Sequence, residues 1–116
     1  MELDHLSVID WELGIKLAGN KRDLAEEILN MLIKNLPDDM SAITQLYHDK
    51  NYLGLLQRVH KLHGAICYCG LPRLKTVLSH LETDLKSHIM DSLPSLHDQL
   101  HAEVNLLLEH YSRLPS

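Results

Sequence analysis

The sequence predicts an all-α protein: an antiparallel, up-down four-helix bundle with a short extra helix at its N-terminus. Apolar residues recur at helical spacing along nearly the whole chain, and no alternating strand pattern interrupts them. Short connections rich in Gly, Pro, Asn and Asp separate the helical segments, which favours antiparallel neighbours. With 116 residues, the chain is expected to form one domain over residues 1–116.

Composition argues against several classes of protein. The chain has 11 Lys and Arg against 16 Asp and Glu, a net charge of −5, whereas nucleic-acid-binding domains normally carry a basic face. No apolar run approaches the roughly 20 residues that span a membrane, so we expect no membrane contact by this segment. Cys67 and Cys69 point away from each other on a helix, which predicts free thiols in the cytoplasm.

The N-terminal part is predicted to hold a loose arm and one short helix. Residues 1–8 form the arm, and the bundle is expected over about residues 20–113. Asp10 suits the N-cap of a helix over residues 11–17, because its carboxylate can accept from the first free backbone N–H groups. Gly19 suits the end of that helix, since glycine readily adopts the left-handed conformation.

The second helix contains a proline within its apolar pattern. We expect it to begin near Asn20 or Lys21. Pro37 removes one hydrogen-bond donor and clashes with the preceding turn. The apolar period resumes at Met40, so we expect a kinked but continuous helix. A break at Pro37 is the alternative.

Three further helices complete the predicted bundle. Asn51 or Asp49 caps the third helix, which is expected to end at Gly70. Pro72 suits the first turn of the fourth helix, where its missing N–H costs nothing. Ser92 is the expected N-cap of the last helix.

The third helix carries a histidine at the edge of its apolar stripe. His60 lies about 100° around the helix from Val59, so its ring can reach water beside the core. One turn later comes Gly64, although glycine inside a helix costs about 1 kcal/mol relative to alanine. The combination indicates that something must approach this imidazole closely. The stripe itself consists of Tyr52, Leu55, Leu56, Val59, Leu62 and Ile66.

These residues support a resemblance to a known family. The pattern His60-x-Leu62-x-Gly64, followed by Gly70 and a leucine-patterned helix, resembles a histidine-containing phosphotransfer (Hpt) domain. The segment 60–75 is most similar to the C-terminal Hpt domain of hybrid sensor kinases of the BarA/GacS type.

The resemblance implies a function in a bacterial two-component phosphorelay. His60 would accept a phosphoryl group from an aspartate in the receiver domain of a hybrid sensor kinase and pass it to an aspartate of a downstream response regulator. Such a domain is a carrier without kinase activity of its own, and is usually monomeric. It needs no cofactor, because the partner receiver domain holds Mg²⁺. It would lie in the cytoplasm, either as a free protein or as the C-terminal module of an inner-membrane sensor kinase.

Helix geometry predicts a partner for His60. His60 lies ten residues before Gly70 and Glu82 lies twelve after it, so both stand roughly 15–18 Å from the turn. Glu82 can then accept a hydrogen bond from Nδ1–H of His60, which leaves the Nε2 lone pair free as the nucleophile. In the family, glutamine or glutamate commonly occupies the matching position. The phosphate environment is predicted to contain His63, Lys61, Lys86 and Gln57, with Gly64 giving steric access.

Two other interpretations remain. A helical bundle can bind a partner without any chemistry, and this is the alternative function. His97 and His101 stand at i and i+4, as in some metal sites, but the sequence shows no third ligand. For docking of a partner, the candidate apolar residues are Leu53, Leu56, Ile9 and Leu13, which could equally complete the core.

Overall fold

A computed structural model describes residues 2–114, which form five α-helices and no strand. Helices α2 to α5 form the bundle, in which each helix packs against the next in sequence, while α1 packs against α2. The predicted fold class is confirmed. The helices are α1 (Trp11–Leu17), α2 (Arg22–His48), α3 (Tyr52–Ile66), α4 (Pro72–Lys86) and α5 (Leu93–Ser112).

The core between the helices consists mainly of leucine. Burying one such side chain contributes about 1.5–3 kcal/mol, so the stripes of four helices supply most of the driving force for folding. On α3, Val59 and Leu62 point into this core and are almost completely buried. Because successive residues of a helix turn by about 100°, this placement puts His60 at the surface. The largest fully buried side chains are Leu36, Ile43, Leu55, Ile66, Leu71, Leu78, Leu81, Leu100, Leu107, Val59 and Val77.

Helix α2 runs through Pro37 without a break. It extends over 27 residues from Arg22 to His48, with Pro37 inside it. Leu36 and Met40, on either side of the proline, are both buried in the core. The helix is therefore continuous, as predicted, and the alternative of a break at Pro37 is wrong.

Two of the predicted N-caps form as expected. The Asp10 carboxylate accepts from the backbone N–H of Leu13 at 3.0 Å and opens α1. The Asn51 side chain accepts from the backbone N–H of Gly54 at 3.0 Å and opens α3, so the cap is Asn51 and not Asp49.

Two helix ends differ in detail from the prediction. Helix α3 ends at Ile66 rather than at Gly70, and residues 67–71 form the turn to α4. Ser92 occupies the N-cap position of α5, but its hydroxyl donates to the Asp84 carboxylate at 2.6 Å. Ser92 therefore links α4 to α5 instead of capping its own helix. Pro72 opens α4 as predicted.

The N-terminal segment is packed, and the prediction of a loose arm is wrong for the part that the structure describes. Leu3 is only 4% exposed and belongs to the core. Leu6 and Val8 pack against that core, since moving an apolar side chain out of water lowers the free energy of the folded protein. Met1 lies outside the described residues. Across residues 2–114, no helix is long and apolar enough to cross a membrane.

Candidate functional site

The site is built on the face of α3 that borders α4. His60 projects from α3 with 70% of its side chain exposed. Its Nδ1 meets Oε1 of Glu82 on α4 at short hydrogen-bonding distance. The contact expected from the positions of both residues relative to the turn is therefore present. With Nδ1–H donating to the carboxylate, the neutral ring carries its free lone pair on Nε2.

Glu82 is a buried carboxylate with donors on both oxygens. The residue is 7% exposed. Oε1 contacts His60 and lies 3.8 Å from Nζ of Lys86, whereas Oε2 accepts from Nδ1 of His63 at 2.9 Å. Burial alone would raise the pKa of Glu82, but the hydrogen bonds from the two histidines and the Lys86 charge outweigh it, and the pKa is lowered. The carboxylate is thus charged at neutral pH.

His63 is turned toward Glu82 instead of toward solvent, unlike the expectation that it contributes to the phosphate environment of His60. Its Nδ1 contacts Glu82, and only 19% of its side chain is exposed. Its Nε2 is buried and has no hydrogen-bond partner among residues 2–114. One ring nitrogen is thus engaged and the other is enclosed. The helical spacing of three residues from His60 placed His63 correctly on the helix, but spacing does not determine which way a ring turns.

The remaining predicted residues surround the exposed ring to different degrees. Lys86 is 58% exposed, so its ammonium can move between Glu82 and solvent. Gln57 is exposed on α3, one turn before His60. Lys61 is also exposed but lines a groove between α2 and α3. At Gly64, an added Cβ would meet nothing within 4 Å in the described part of the chain, so the space beside His60 is open.

The groove between α2 and α3 was not predicted. It measures about 620 Å³ and passes beside Lys61, the neighbour of His60. Met31 and Tyr68 in its lining are 58% and 66% exposed, so the groove presents apolar and aromatic surface to solvent. The sequence contained one signal for this groove. The apolar residues of α2 spread over a wider arc of the helix than a single neighbouring helix can cover. The lining consists of Ile28, Met31, Leu32, Asn35, Asp38, Asp39, Arg58, Lys61, Leu62, Ala65, Tyr68 and Cys69.

The residues that the sequence proposed for docking lie outside this groove. Leu53 is 70% exposed and Leu13 is 38% exposed. Leu56 and Ile9 are half-buried against the core, so they mainly complete its packing.

The paired histidines of α5 lie in a different environment. His97 stacks on Tyr47 of α2 with ring centroids 4.2 Å apart. Nε2 of His101 lies 3.0 Å from the Thr44 hydroxyl. Within residues 2–114 no group of three or more His, Cys, Asp or Glu side chains is arranged to hold a metal ion. Through these contacts with Tyr47 and Thr44, the two rings contribute to the packing of α5 against α2.

Comparisons with known proteins show which family this helical bundle belongs to. The Hpt domain family matches residues 27–110. The chain is 37% identical over 102 residues to the sensor protein GacS of Pseudomonas syringae pv. syringae, a match covering 88% of this chain and 11% of GacS. It is 36% identical over 81 residues to the signal transduction histidine-protein kinase BarA of Escherichia coli K12, a match covering 70% of this chain and 9% of BarA.

A solved structure has the same architecture. The HPT domain of the Hpt sensor hybrid histidine kinase from Shewanella superposes with a TM-score of 0.76 at 31% identity, covering 94% of this chain and 97% of that one. The chain belongs to the Hpt domain family. It spans about a tenth of the length of the curated relatives that it matches.

Proposed function

We propose that this chain is a phosphoryl carrier in a two-component phosphorelay. His60 accepts a phosphoryl group from a receiver-domain aspartate of a hybrid sensor kinase and passes it to an aspartate of a response regulator. The observation that carries the proposal is the exposed His60 ring of this Hpt domain. Its Nδ1 forms a hydrogen bond with the buried Glu82 carboxylate.

The chemistry follows from the tautomer that Glu82 selects. The Nε2 lone pair of His60 attacks phosphorus, the N–P bond forms, and the P–O bond to the donor aspartate breaks, with the electron pair leaving on its carboxylate. The phosphorylated ring still carries the Nδ1 proton and is therefore cationic. Glu82 lies against that proton and stabilises the charge. Transfer to the next aspartate reverses the same steps, so no proton has to move.

The partner is proposed to supply the rest of the transition-state stabilisation. Phosphoryl transfer depends on metal ions and positive groups around the equatorial oxygens. Glu82 is already occupied by two imidazoles, so we assign Mg²⁺ to the receiver domain and not to this chain. This division of labour supports a carrier without kinase activity of its own. A monomer in the cytoplasm, where free Cys67 and Cys69 stay reduced, is the proposed working form.

The receiver domain is proposed to dock over His60 and the adjoining groove. Exposed apolar side chains in the groove, Met31 and Tyr68, can be covered by such a partner. Open space at Gly64 allows the donor aspartate to reach Nε2 of His60 in line.

The decisive experiment is labelling of the chain by a phosphorylated receiver domain. We expect acid-labile, alkali-stable phosphate on the wild type and none on His60→Gln, with equal helix content by circular dichroism. His110→Gln, an exposed histidine on α5, is the matched control and should label normally. Equal labelling of wild type and His60→Gln would contradict the proposal. Binding of the receiver without any labelling would support the alternative, a helical interaction module.

Docking can be tested in the same assay. Met31→Asp and Tyr68→Asp should each raise KM for the receiver by about fivefold or more, since central interface residues typically contribute over 1 kcal/mol. The turnover at saturating receiver should change little, because neither residue contacts His60. Ile89→Asp, at a residue that is 49% exposed but outside the groove, is the control. Unchanged KM values in both groove variants would place the docking surface elsewhere.

A further inference from the structure

We propose that His63 is a positioning residue for phosphotransfer: by binding the second oxygen of Glu82, it holds that carboxylate in the orientation that engages Nδ1 of His60. The inference rests on the proposed function and assigns His63 a place in it. His63 acts through Glu82 and does not touch the phosphoryl group.

The geometry shows one carboxylate shared by two imidazoles. Oε1 of Glu82 contacts Nδ1 of His60, and Oε2 lies 2.9 Å from Nδ1 of His63. The two histidines are one turn apart on α3, while Glu82 comes from α4. The last torsion of a glutamate side chain is broad, so a single hydrogen bond leaves the carboxylate free to rotate. A second donor from the same helix fixes its plane.

The burial of Nε2 determines which ring nitrogen of His63 carries the proton in the contact with Glu82. Its Nε2 is enclosed and has no partner among the described residues. A proton on Nε2 would bury a donor without an acceptor, which proteins avoid. The neutral ring with its proton on Nδ1 is therefore favoured, and this proton is donated to Oε2 of Glu82. His63 thus acts as a hydrogen-bond donor of fixed direction.

Lys86 does not duplicate this function. Its ammonium lies 3.8 Å from Oε1, the same oxygen that His60 contacts, and its side chain is 58% exposed. A flexible, hydrated ammonium supplies charge but little directional constraint. Oε2 depends on His63 alone among the contacts that the structure shows for Glu82.

The test uses the whole chain and three variants at this position. His63→Asn keeps an N–H donor near the place of Nδ1, whereas His63→Ala and His63→Leu both remove the donor without adding a charge beside Glu82. The tautomer of His60 is read from long-range ¹H–¹⁵N correlation spectra, and transfer from a phosphorylated receiver gives the rate. We expect wild type and His63→Asn to keep His60 protonated on Nδ1. His63→Ala and His63→Leu should shift it toward protonation on Nε2 and slow transfer several-fold.

The outcomes separate this inference from the proposed function. An unchanged His60 tautomer and an unchanged rate in His63→Ala and His63→Leu would overturn the positioning role, even if wild type is labelled on His60. If His63→Leu fails to fold, the Asn and Ala pair still decides the question. If the wild type cannot be labelled at all, the proposed function fails, while the tautomer spectra still test the contact between His63 and Glu82.

Discussion

At the scale of single residues, the site depends on the buried Glu82 carboxylate, both of whose oxygens accept hydrogen bonds from histidines. Burial of Glu82 disfavours its charged form, whereas the hydrogen-bond donors on its two oxygens favour it. The donors outweigh burial, so the pKa of Glu82 is lowered. The negative charge is therefore held next to the Nδ1 proton of His60 at neutral pH. An exposed glutamate would hold the ring less firmly, because water competes for both partners.

Replacing Glu82 by alanine should slow transfer and leave the bundle folded. The loss of one hydrogen bond between a charged and a neutral group, roughly 1.5 kcal/mol, corresponds to about a tenfold lower rate. Single-turnover labelling by a phosphorylated receiver measures it, with helix content checked by circular dichroism. Glu82→Gln, which keeps an acceptor, should retain more activity than Glu82→Ala. Wild-type rates in Glu82→Ala would show that the carboxylate does not orient His60.

The two cysteines should differ in reactivity. Burial raises the pKa of Cys69 to about 11, while Cys67 is only half-buried. Only the thiolate reacts with iodoacetamide, so Cys69 should be alkylated at pH 8 at least about tenfold more slowly than Cys67. Mass spectrometry of Cys67→Ser and Cys69→Ser gives the two rates separately. Both thiols should react alike in denaturant, and equal rates in the native protein would contradict the assigned burial.

At the scale of elements, the N-terminal helix is attached through a close backbone contact. The backbone N–H of Asp10 donates to the carbonyl of Gly70 at 2.7 Å, which joins the start of α1 to the turn between α3 and α4. A Cβ at Gly70 would clash with the Asp10 carbonyl and come within 2.7 Å of the Gly14 nitrogen. The lack of a side chain at Gly70 therefore lets α1 pack closely against the turn, whereas the lack of one at Gly64 leaves open space beside His60.

The two glycines should respond in opposite ways to alanine. Gly64→Ala should raise the free energy of unfolding by up to about 1 kcal/mol, because alanine favours the helix and its methyl group meets no neighbour. Gly70→Ala should lower it by about 1–3 kcal/mol, since the backbones of α1 and the turn must move apart. Urea denaturation followed by circular dichroism measures both. A Gly70→Ala protein as stable as wild type would argue against the close contact.

At the scale of the whole molecule, a buried histidine makes stability depend on pH. His97 is 8% exposed and packs between α5 and α2. Its pKa is lowered from the ordinary value of 6.5, first by burial and then by the neighbouring His101 and His48, while Asp98 acts in the opposite direction. The folded protein therefore takes up this proton at lower pH than the unfolded chain does.

The free energy of unfolding should decrease as the pH is lowered from 7.5 toward 5.5. Below about pH 6.5 the unfolded chain binds the proton and the folded chain resists it, with a limiting slope of about 1.4 kcal/mol per pH unit. Denaturation curves at three pH values measure the slope. His97→Phe keeps a ring stacked on Tyr47 and should show a shallower slope. The same slope in both proteins would show that His97 does not titrate in this range.

Much of the architecture could be predicted because it depends on local rules. Helix periodicity, the caps at Asp10 and Asn51 and the opening proline of α4 are properties of neighbouring residues. The meeting of His60 with Glu82 needed only the rise per residue and the direction of the turn. The packed N-terminal segment could not be predicted, since burial of Leu3 depends on a gap between distant helices.

The sequence by itself determined that this protein is a helical bundle with an exposed histidine at the edge of its core and a carboxylate at the same height. Only the tertiary structure decided that this carboxylate is shared with His63, that Gly70 touches the first helix, and that a groove opens beside Lys61. The reason is physical. Periodicity and rise are fixed within a helix, whereas ring orientation and the distance between backbones depend on how separate helices fill the space between them.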